Sequence, residues 1–482
     1  MPHDTALVWF RRDFRLADNP ALRSAIDAAE HVIPIYIHAP DEEGDWAPGG
    51  ASRWWLHHTL AAHDAALRER QSRLIIRAGP SLDTLQHVIQ QTGATAVFWN
   101  RRYEPAIRRR DELIKSTLSG TGIEAVSRPG NLLSEPWEVT TGGGGPYQVF
   151  TPFWKNCCLR EPPAETLPKP RAVNGPASWP QSIELAELRL LPKLDWDAGF
   201  YTRWTPGEAG AQVLLKRLMQ EVIARYDESR NRPDQRGTSS LSPHLYFGEI
   251  TPRQIYEAVT SEYGPPAPTS KGPKSGPMTF LSEIGWREFA WHVLYHFPDT
   301  PLRPLREKFA AFPWRTDNQA LSAWQRGQTG YPIVDAGMRE LWHDGWMHNR
   351  VRMIVGSFLT KHLRISWLEG AKWFWDTLVD ADLANNTLGW QWIGGCGADA
   401  APYFRVFNPV SQGEKFDPQG DYVRKWVPEL SELPDEWLHQ PWQAPDHILK
   451  RAGVVLGQTY PKPIVDHAEA RKSALAAFDA IK

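Results

Sequence analysis

Cysteine is scarce. Cys157, Cys158 and Cys396 are the only three in 482 residues and no CxxC is present, so a disulfide framework is excluded and a reducing, cytosolic setting is expected. Long apolar runs are missing too. None approaches the roughly 18 residues of a membrane span, so no membrane association is expected. There is no secretory leader pattern, because ALVWF is followed at once by Arg11, Arg12 and Arg15. Charge of one sign is not in excess: 54 basic residues against 56 acidic ones leave a net −2, so any nucleic-acid surface must be a local patch. Repeats and low-complexity tracts are absent, and no signalling tail is expected beyond the fold. At 23% charged and 11% aromatic, the composition is that of a globular enzyme rather than a disordered chain.

Tryptophan, by contrast, is abundant and clustered. Between Trp342 and Arg405 lie Trp342, Trp346, Trp367, Trp373, Trp375, Trp390 and Trp392, out of 24 in the chain. Asn349, Arg350, Arg352, Asp380, Asp382, Asn385 and Asn386 are interleaved with them. Polar groups set that closely among large aromatics must pair with each other or hold something polar. The stretch reads as the floor of a pocket for a large, flat, partly charged cofactor.

Residues 1–130 alternate short apolar runs with amphipathic segments. Strands are expected over 6–10, 32–38, 73–77, 96–100 and 124–127, and helices over 21–29, 50–72, 82–92 and 104–119. Such alternation predicts an α/β domain with a doubly wound parallel sheet. The residues after the first strand are RRDFRL rather than GxGxxG, so no dinucleotide fingerprint supports it. From 131 to 200 the pattern dissolves into a connector rich in Pro, Gly and Trp, with Gly142–Gly145 and Pro162, Pro163, Pro168 and Pro170. No Lys-Ser/Thr comes after the glycines, so they are not a phosphate loop; PYQVFTPFWK (146–155) is aromatic and expected between domains. From 201 to 482 the spacing is helical, over 209–225, 251–261, 279–296, 318–324, 332–344, 349–363 and 367–378, which predicts a large all-α domain. The Gly-rich end of 383–397 reads as a loop near a ligand.

Three motifs carry chemistry. Thr238, Ser239, Ser240 and Ser242 put four hydroxyls between Gly237 and Pro243 at a helix start, a pattern that binds phosphate. The bland alternative is an ordinary N-cap turn. Glu283, Trp286 and Arg287 share one helical face, which suits a planar base through hydrogen bonds and stacking, or equally an amphipathic helix with one ion pair. In GWMHNRVRM (345–353), Asn349 and Met353 stand four apart, and Arg350 or Arg352 needs a carboxylate such as Asp380 or Asp382. His343 and His348 match no zinc spacing, and no metal is expected.

FRRDFRLADNPAL, GTSSLSPHLYFGEI, the WREF helix, TGYPIVDAGMRELWHDGWMHNRVRM, DADLANNTLGWQW and APYFRVFNPVSQGEKFD together resemble the photolyase/cryptochrome family over nearly the whole chain. The resemblance implies an N-terminal α/β domain, a connector and a helical domain that holds FAD in a U shape. Pyrimidine (6-4) photolyases and animal cryptochromes have histidines where this chain has Asn349 and Met353, and plant cryptochromes have Asp where it has Asn386. The pattern is similar to bacterial cyclobutane pyrimidine dimer photolyases, with a cryptochrome-type photoreceptor as the alternative.

By that resemblance the active cofactor is reduced, anionic FAD, and the partner is ultraviolet-damaged DNA, bound by a monomer with no obligate protein partner in a bacterial cytosol. Tyr226, Thr238, Ser239, Ser240, Leu241 and Ser242 would hold the pyrophosphate end of FAD. Trp346, Arg352, Asp380, Ala381, Asp382 and Asn386 would hold its ribityl and ring atoms, with Asn386 near N5. Photolyases extrude their target from the duplex; Trp286 and Trp392 would stack on the flipped pyrimidines. Glu283 and Asn349 would bond their edges, and Met353 would pack beside them. Arg232, Arg287, Arg350 and Lys415 are the implied phosphate contacts, with Gln412 at the DNA edge. Trp390, Trp367 and Trp314 match the family's relay that reduces a resting flavin. The antenna pigment is methenyltetrahydrofolate or a deazaflavin. Ala106 and Ile107 replace the Asn-Glu pair of the best-known folate pocket, while GGASRWWLHH and VFTPFWK favour folate bound elsewhere.

Overall fold

The computed structural model describes residues 3–267, 275–400 and 404–482; Ala401, Pro402 and Tyr403, which open the APYFRVF motif, lie outside the described residues. All five expected strands form. β1 (His3–Phe10), β2 (Ala29–His38), β3 (Ile75–Ala78), β4 (Ala96–Asn100) and β5 (Glu124–Arg128) make one parallel sheet in the order β3-β2-β1-β4-β5. In β1, Leu7 pairs with Ile33 on one side and Val97 on the other, and Ala6 to Phe10 are buried. A strand covered on both faces must be apolar throughout, which is why β1 shows a run and not an alternation. The intervening helices are α1 (Pro20–Ala28), α2 (Gly50–Arg68), α3 (Ser81–Thr92) and α4 (Pro105–Gly120). Asn19 caps α1, its side chain accepting from the Leu22 N–H.

The connector contributes α5 (Phe150–Leu159) and a 3-10 turn at Leu185–Leu188. The helical part holds α6 (Ala198–Arg203), α7 (Glu208–Arg217), α8 (Tyr226–Ser229), α9 (Ser242–Tyr246), α10 (Pro252–Tyr263), α11 (Gly276–His296), α12 (Asn318–Gln325), α13 (Pro332–Asp344) and α14 (Asn349–Ser357). After these come α15 (Trp367–Thr377), α16 (Leu383–Gly394), α17 (Pro409–Phe416) and short helices up to a last one at His467–Asp479. Two expected helices change type. The 209–225 segment becomes α7 plus a π turn at Leu218–Val222 and a 3-10 turn, and 349–363 becomes α14 plus a π turn at Phe358–His362. One extra residue per turn rotates the later part of the segment by about 100° relative to an unbroken α-helix, so i, i+4 spacing misplaces its side chains. Over 383–397, 383–394 is α16 and Gly395, at φ 81°, ends it as a left-handed cap, so the Gly-rich end leaves the helix as expected.

The sheet and the helices share an apolar interior. Phe10, Phe14, Trp54 and Trp55 of the sheet side pack with Phe200, Trp204, Phe247 and Trp346 of the helical side. Around that seam sit buried polar ties. The Asp18 carboxylate is fully buried and accepts from the Thr251 hydroxyl (2.6 Å), the Arg253 guanidinium and the Leu167 N–H (3.2 Å). Asp18 has φ 49°, a left-handed conformation that Asn tolerates as well. Asp18→Asn therefore removes charge without backbone strain. It is expected to lower unfolding stability by about 3 kcal/mol, as breaking a buried pair does; a urea titration that finds less than about 1 kcal/mol would show the tie to be dispensable.

Candidate functional site

One arm of the site is the loop from Arg236 to Ser242. Arg217 shapes it, donating from Nη1 to the Arg236 carbonyl (3.1 Å) and from Nη2 to the Thr238 carbonyl (2.5 Å). Ser229 Oγ donates to the Gly237 carbonyl (3.2 Å), where a Cβ would collide with the Ser229 backbone at 2.6 Å. Ser240 is buried at φ 58°, and the Leu241 N–H donates to Ser239 Oγ (3.3 Å). The expected helix start is present at Ser242. α9 is only five residues long, so its dipole is slight, and the loop's hydroxyls and N–H groups are the donors. Tyr226 opens α8, buried edge-on against Phe280 with 5.1 Å between centroids.

The loop meets the Trp-rich stretch through Trp346. Its buried indole Nε1 donates to Ser242 Oγ (3.3 Å), and Arg352 lies 5.8 Å from its ring. Arg352 finds the carboxylate partner its burial demands: Nη2 donates to both oxygens of Asp380 (2.8 and 3.1 Å), and Nε donates to the Met347 carbonyl (2.7 Å). Ala381 is fully buried beside that pair. Asp382 caps α16, accepting from the Asn385 N–H (2.9 Å); burial raises its pKa and Arg287 opposes the rise. Asn386 donates from Nδ2 to the Ala371 carbonyl (3.0 Å), which leaves its amide oxygen free of that bond.

The second arm is the face made by α8, α11 and α14. Arg230 Nη1 donates to Glu283 (2.5 Å). Burial raises the Glu283 pKa, and Arg230 and then Arg350 pull it down. Arg350 donates to Asn231 Oδ1 (2.6 and 3.2 Å), stands 4.4 Å over Phe416 and reaches Met353 Sδ (3.6 Å). Asn349, the first residue of α14, is exposed. Arg232 donates to Asp234 (2.5 and 2.8 Å) and to Gln419 (3.0 Å), and Lys415 is exposed on α17 beside half-buried Gln412. Cations therefore ring this face at Arg230, Arg232, Arg350 and Lys415.

Arg287 is not among them. It is 9% exposed and donates to the Asn131 carbonyl (2.9 Å), which turns it inward toward the connector and away from any phosphate. Trp286 is stacked on Phe150 at 3.8 Å between centroids and 11° between planes, so one of its two faces is taken. Trp392 is half-buried. Trp390 and Trp367 are buried at 2% and 3%, and Trp314 is half-buried against Phe312. Trp390 leans on the helix that carries Trp367, so tightly that a Cβ at Gly370 would fall 2.1 Å from its ring. Among the described residues no group of three His, Cys, Asp or Glu could hold a metal.

Motif reading overlooks Arg203, which donates from Nη2 to Ser240 Oγ (3.3 Å), and weighs His348 only as a metal ligand. His348 is 2% exposed, and its Nδ1 accepts from the Arg350 N–H (3.2 Å), so the proton sits on Nε2. Burial, then Arg350 and Arg352, push the pKa of His348 down to about 3, which keeps the ring neutral. Its Nε2 is buried with no hydrogen-bond partner, as is Arg203 Nε. Buried donors are normally paired. Two orphans beside a hydroxyl loop, a half-used amide and an Arg–Asp pair form a donor set that fits a polar, anionic cofactor.

The chain is similar to known proteins along nearly its whole length. Residues 6–171 match the family model described as DNA photolyase, and residues 280–480 match that of the FAD binding domain of DNA photolyase. The chain is 48% identical to the deoxyribodipyrimidine photo-lyase of Agrobacterium fabrum over 99% of its own length and 98% of the relative's. It is 40% identical to cryptochrome-1 of Arabidopsis thaliana over 97% of its length and 69% of that protein's. The crystal structure of a bacterial class III photolyase from Agrobacterium tumefaciens superposes with a TM-score of 0.94 at 47% identity, covering 100% of this chain and 98% of that one. With both family models matched and such similarity over its full length, the chain belongs to the DNA photolyase family, light-dependent lyases with an FAD-binding domain.

Proposed function

We propose that this protein splits cyclobutane pyrimidine dimers in ultraviolet-damaged DNA. One observation carries the reading. A half-buried carboxylate, Glu283, faces Arg230 and the field of Arg350 on a surface where Asn349 and Met353 open outward and cations form the rim. That surface has acceptors and donors for the edges of two extruded bases and positive charge for the flanking phosphates. Reduced FAD, when bound, supplies the light-driven one-electron reduction that a cyclobutane dimer requires.

The residues divide the rest of the work. Tyr226, the 238–242 loop and Trp346 hold the cofactor. Arg352 and Asp380, already paired, fix the wall beside it. Asn386 offers its free amide oxygen without the negative charge an Asp would bring. Glu283 and Asn349 hydrogen-bond the base edges where charge develops. The free face of Trp286, together with Trp392 and Met353, supplies an apolar surface that keeps water from the bases. Arg232, Arg350 and Lys415 bind backbone phosphate. Trp390, Trp367 and Trp314 give oxidisable rings leading from the interior toward the surface.

The pigment that feeds such a site is read as a reduced folate. At the carboxyl ends of the strands, where a parallel sheet would hold a flavin-like ring, Arg12, Arg102 and Glu43 leave only about 40 Å³. A cavity of about 400 Å³ lies instead under the connector, lined by Phe153, Trp154, Tyr256, Glu288 and His292. Burial pushes the pKa of Glu288 up to about 7, and in its ionised form this carboxylate can accept from the paired N–H donors of a pterin. Chromophores released by heat and identified by mass are expected to include a folate beside FAD. A deazaflavin would overturn the folate reading.

The function is tested with an oligonucleotide holding one thymine cyclobutane dimer, illuminated with blue light beside the reduced protein. Recovery of thymine absorbance that needs both light and protein is expected. Glu283→Gln should slow it roughly tenfold or more while FAD stays bound. No recovery from flavin-loaded, reducible wild-type protein would replace repair by photoreception, the activity for which cryptochrome relatives are the precedent. Trp314→Phe should slow photoreduction of oxidised flavin and leave repair by pre-reduced protein unchanged; normal photoreduction would remove Trp314 from the relay.

A further inference from the structure

Arg203 ends α6, in no motif of the chain and far in sequence from the 236–242 loop, yet its guanidinium reaches that loop. It lies 4.8 Å over the ring of Trp204 and 5.4 Å over that of Trp346, the indole whose Nε1 donates to Ser242. Of its nitrogens, Nη2 donates to Ser240 Oγ (3.3 Å), while Nε is buried with no partner. The nearest carboxylate, Asp344 Oδ2, is 3.8 Å from that Nε, beyond a hydrogen bond, and Asp344 Oδ1 lies 2.7 Å from His343 Nδ1.

Positive charge accumulates here. Burial disfavours the charged forms of both Arg203 and Arg217, and Arg236 lowers each further. The acidic groups that oppose this are Asp344 and Glu340 for Arg203 and Glu221 for Arg217. Glu340 is already engaged by the Tyr422 hydroxyl (2.6 Å) and the His348 N–H (3.2 Å). Three guanidinium groups thus converge on one hydroxyl-lined loop with too little acid beside them, and one of them holds an unused buried donor. Leaving a charged donor unmade is costly, and a phosphate group accepts bidentately from the guanidinium fork.

We propose that Arg203 binds the diphosphate of FAD beside Ser240, held over Trp204 and Trp346 with Nε and Nη2 as its donors to phosphate oxygen. The assignment rests on the FAD reading above. Arg217 acts through the loop carbonyls it holds, and Arg236 adds charge at the rim.

The test uses flavin-loaded protein and follows FAD release by the gain in flavin fluorescence, over a range of NaCl concentrations. Arg203→Gln is expected to weaken FAD binding by roughly tenfold to a hundredfold and to flatten its dependence on salt. Arg203→Lys, which keeps the charge and loses the fork, should recover part of both. Asp344→Asn separates this role from a structural one. It deletes the carboxylate near Arg203 and frees the guanidinium for phosphate, so FAD should be held at least as tightly as in wild type. Arg203→Gln that releases FAD as wild type does would overturn the assignment, as would Asp344→Asn that loosens FAD as much as Arg203→Gln. Where the Gln variant does not fold, by circular dichroism, the Lys variant and Asp344→Asn decide the matter on the same readout. Wild-type protein that carries no flavin would overturn the FAD reading itself, a different result from either.

Discussion

A single guanidinium sets the position of everything else. Arg15 is completely buried, and burial alone would disfavour its charge; Asp18 and Asp13 hold it ionised. Its donors are spent on three parts of the chain: the Asp18 carbonyl (2.9 and 3.0 Å) in the α/β domain, the Gly130 carbonyl (2.6 Å) and Asn131 Oδ1 (3.2 Å) in the connector, and the Gly248 carbonyl (2.9 Å) in the helical domain. Gly248 takes φ 63° and comes so near that a Cβ would sit 2.1 Å from the Arg12 carbonyl; only glycine allows the approach. The Asn131 carbonyl in turn accepts from Arg287 on α11, the helix that carries Glu283. Position thus passes from β1 through the connector to the face that carries Glu283 by buried hydrogen bonds, which are stiff because breaking one strands a charge.

The same chemistry explains why the site is rich in arginine yet leaves some of its buried donors without a hydrogen bond. Arg352 is closed against Asp380, and Arg230 against Glu283, within the chain itself. Arg203 stands 3.8 Å from Asp344, in charge contact but with no hydrogen bond from Nε, and His348 Nε2 has no partner. Groups in the first set are preorganised walls; those in the second are donors awaiting an acceptor. Where a ligand must be gripped, folding leaves a donor unpaired, and binding then recovers what folding gave up.

Much of this is readable from residue order alone, for definite reasons. A strand buried on both faces is a run of apolar residues, and a capped helix starts at Asn or Thr, so the strands and most helices can be placed from β1 onward. The Trp-rich stretch announces a pocket because buried Asn, Arg and Asp need partners, and Arg352–Asp380 supplies one. Arg287 escapes such reading because helical spacing tells which residues share a face and not which carbonyl lies opposite. Trp286 looks free for stacking because nothing local shows that Phe150, from the connector, covers one side. The helix start at Ser242 looks like an anion site until its length, one turn and a fraction, is known. Arg203 leaves no trace, since its importance comes wholly from tertiary contact.

Flavin binding and folding must therefore be linked. The buried donors of Arg203 and His348 weigh against the ligand-free fold, and a ligand that binds only the folded chain adds stability in proportion to the logarithm of its concentration over its dissociation constant. A chain that loses its cofactor loses more than a chromophore: it also gives up an acceptor for the Arg203 donor at the junction between α6, the 236–242 loop and the Trp346 floor, on the helical side of the seam that Arg15 closes.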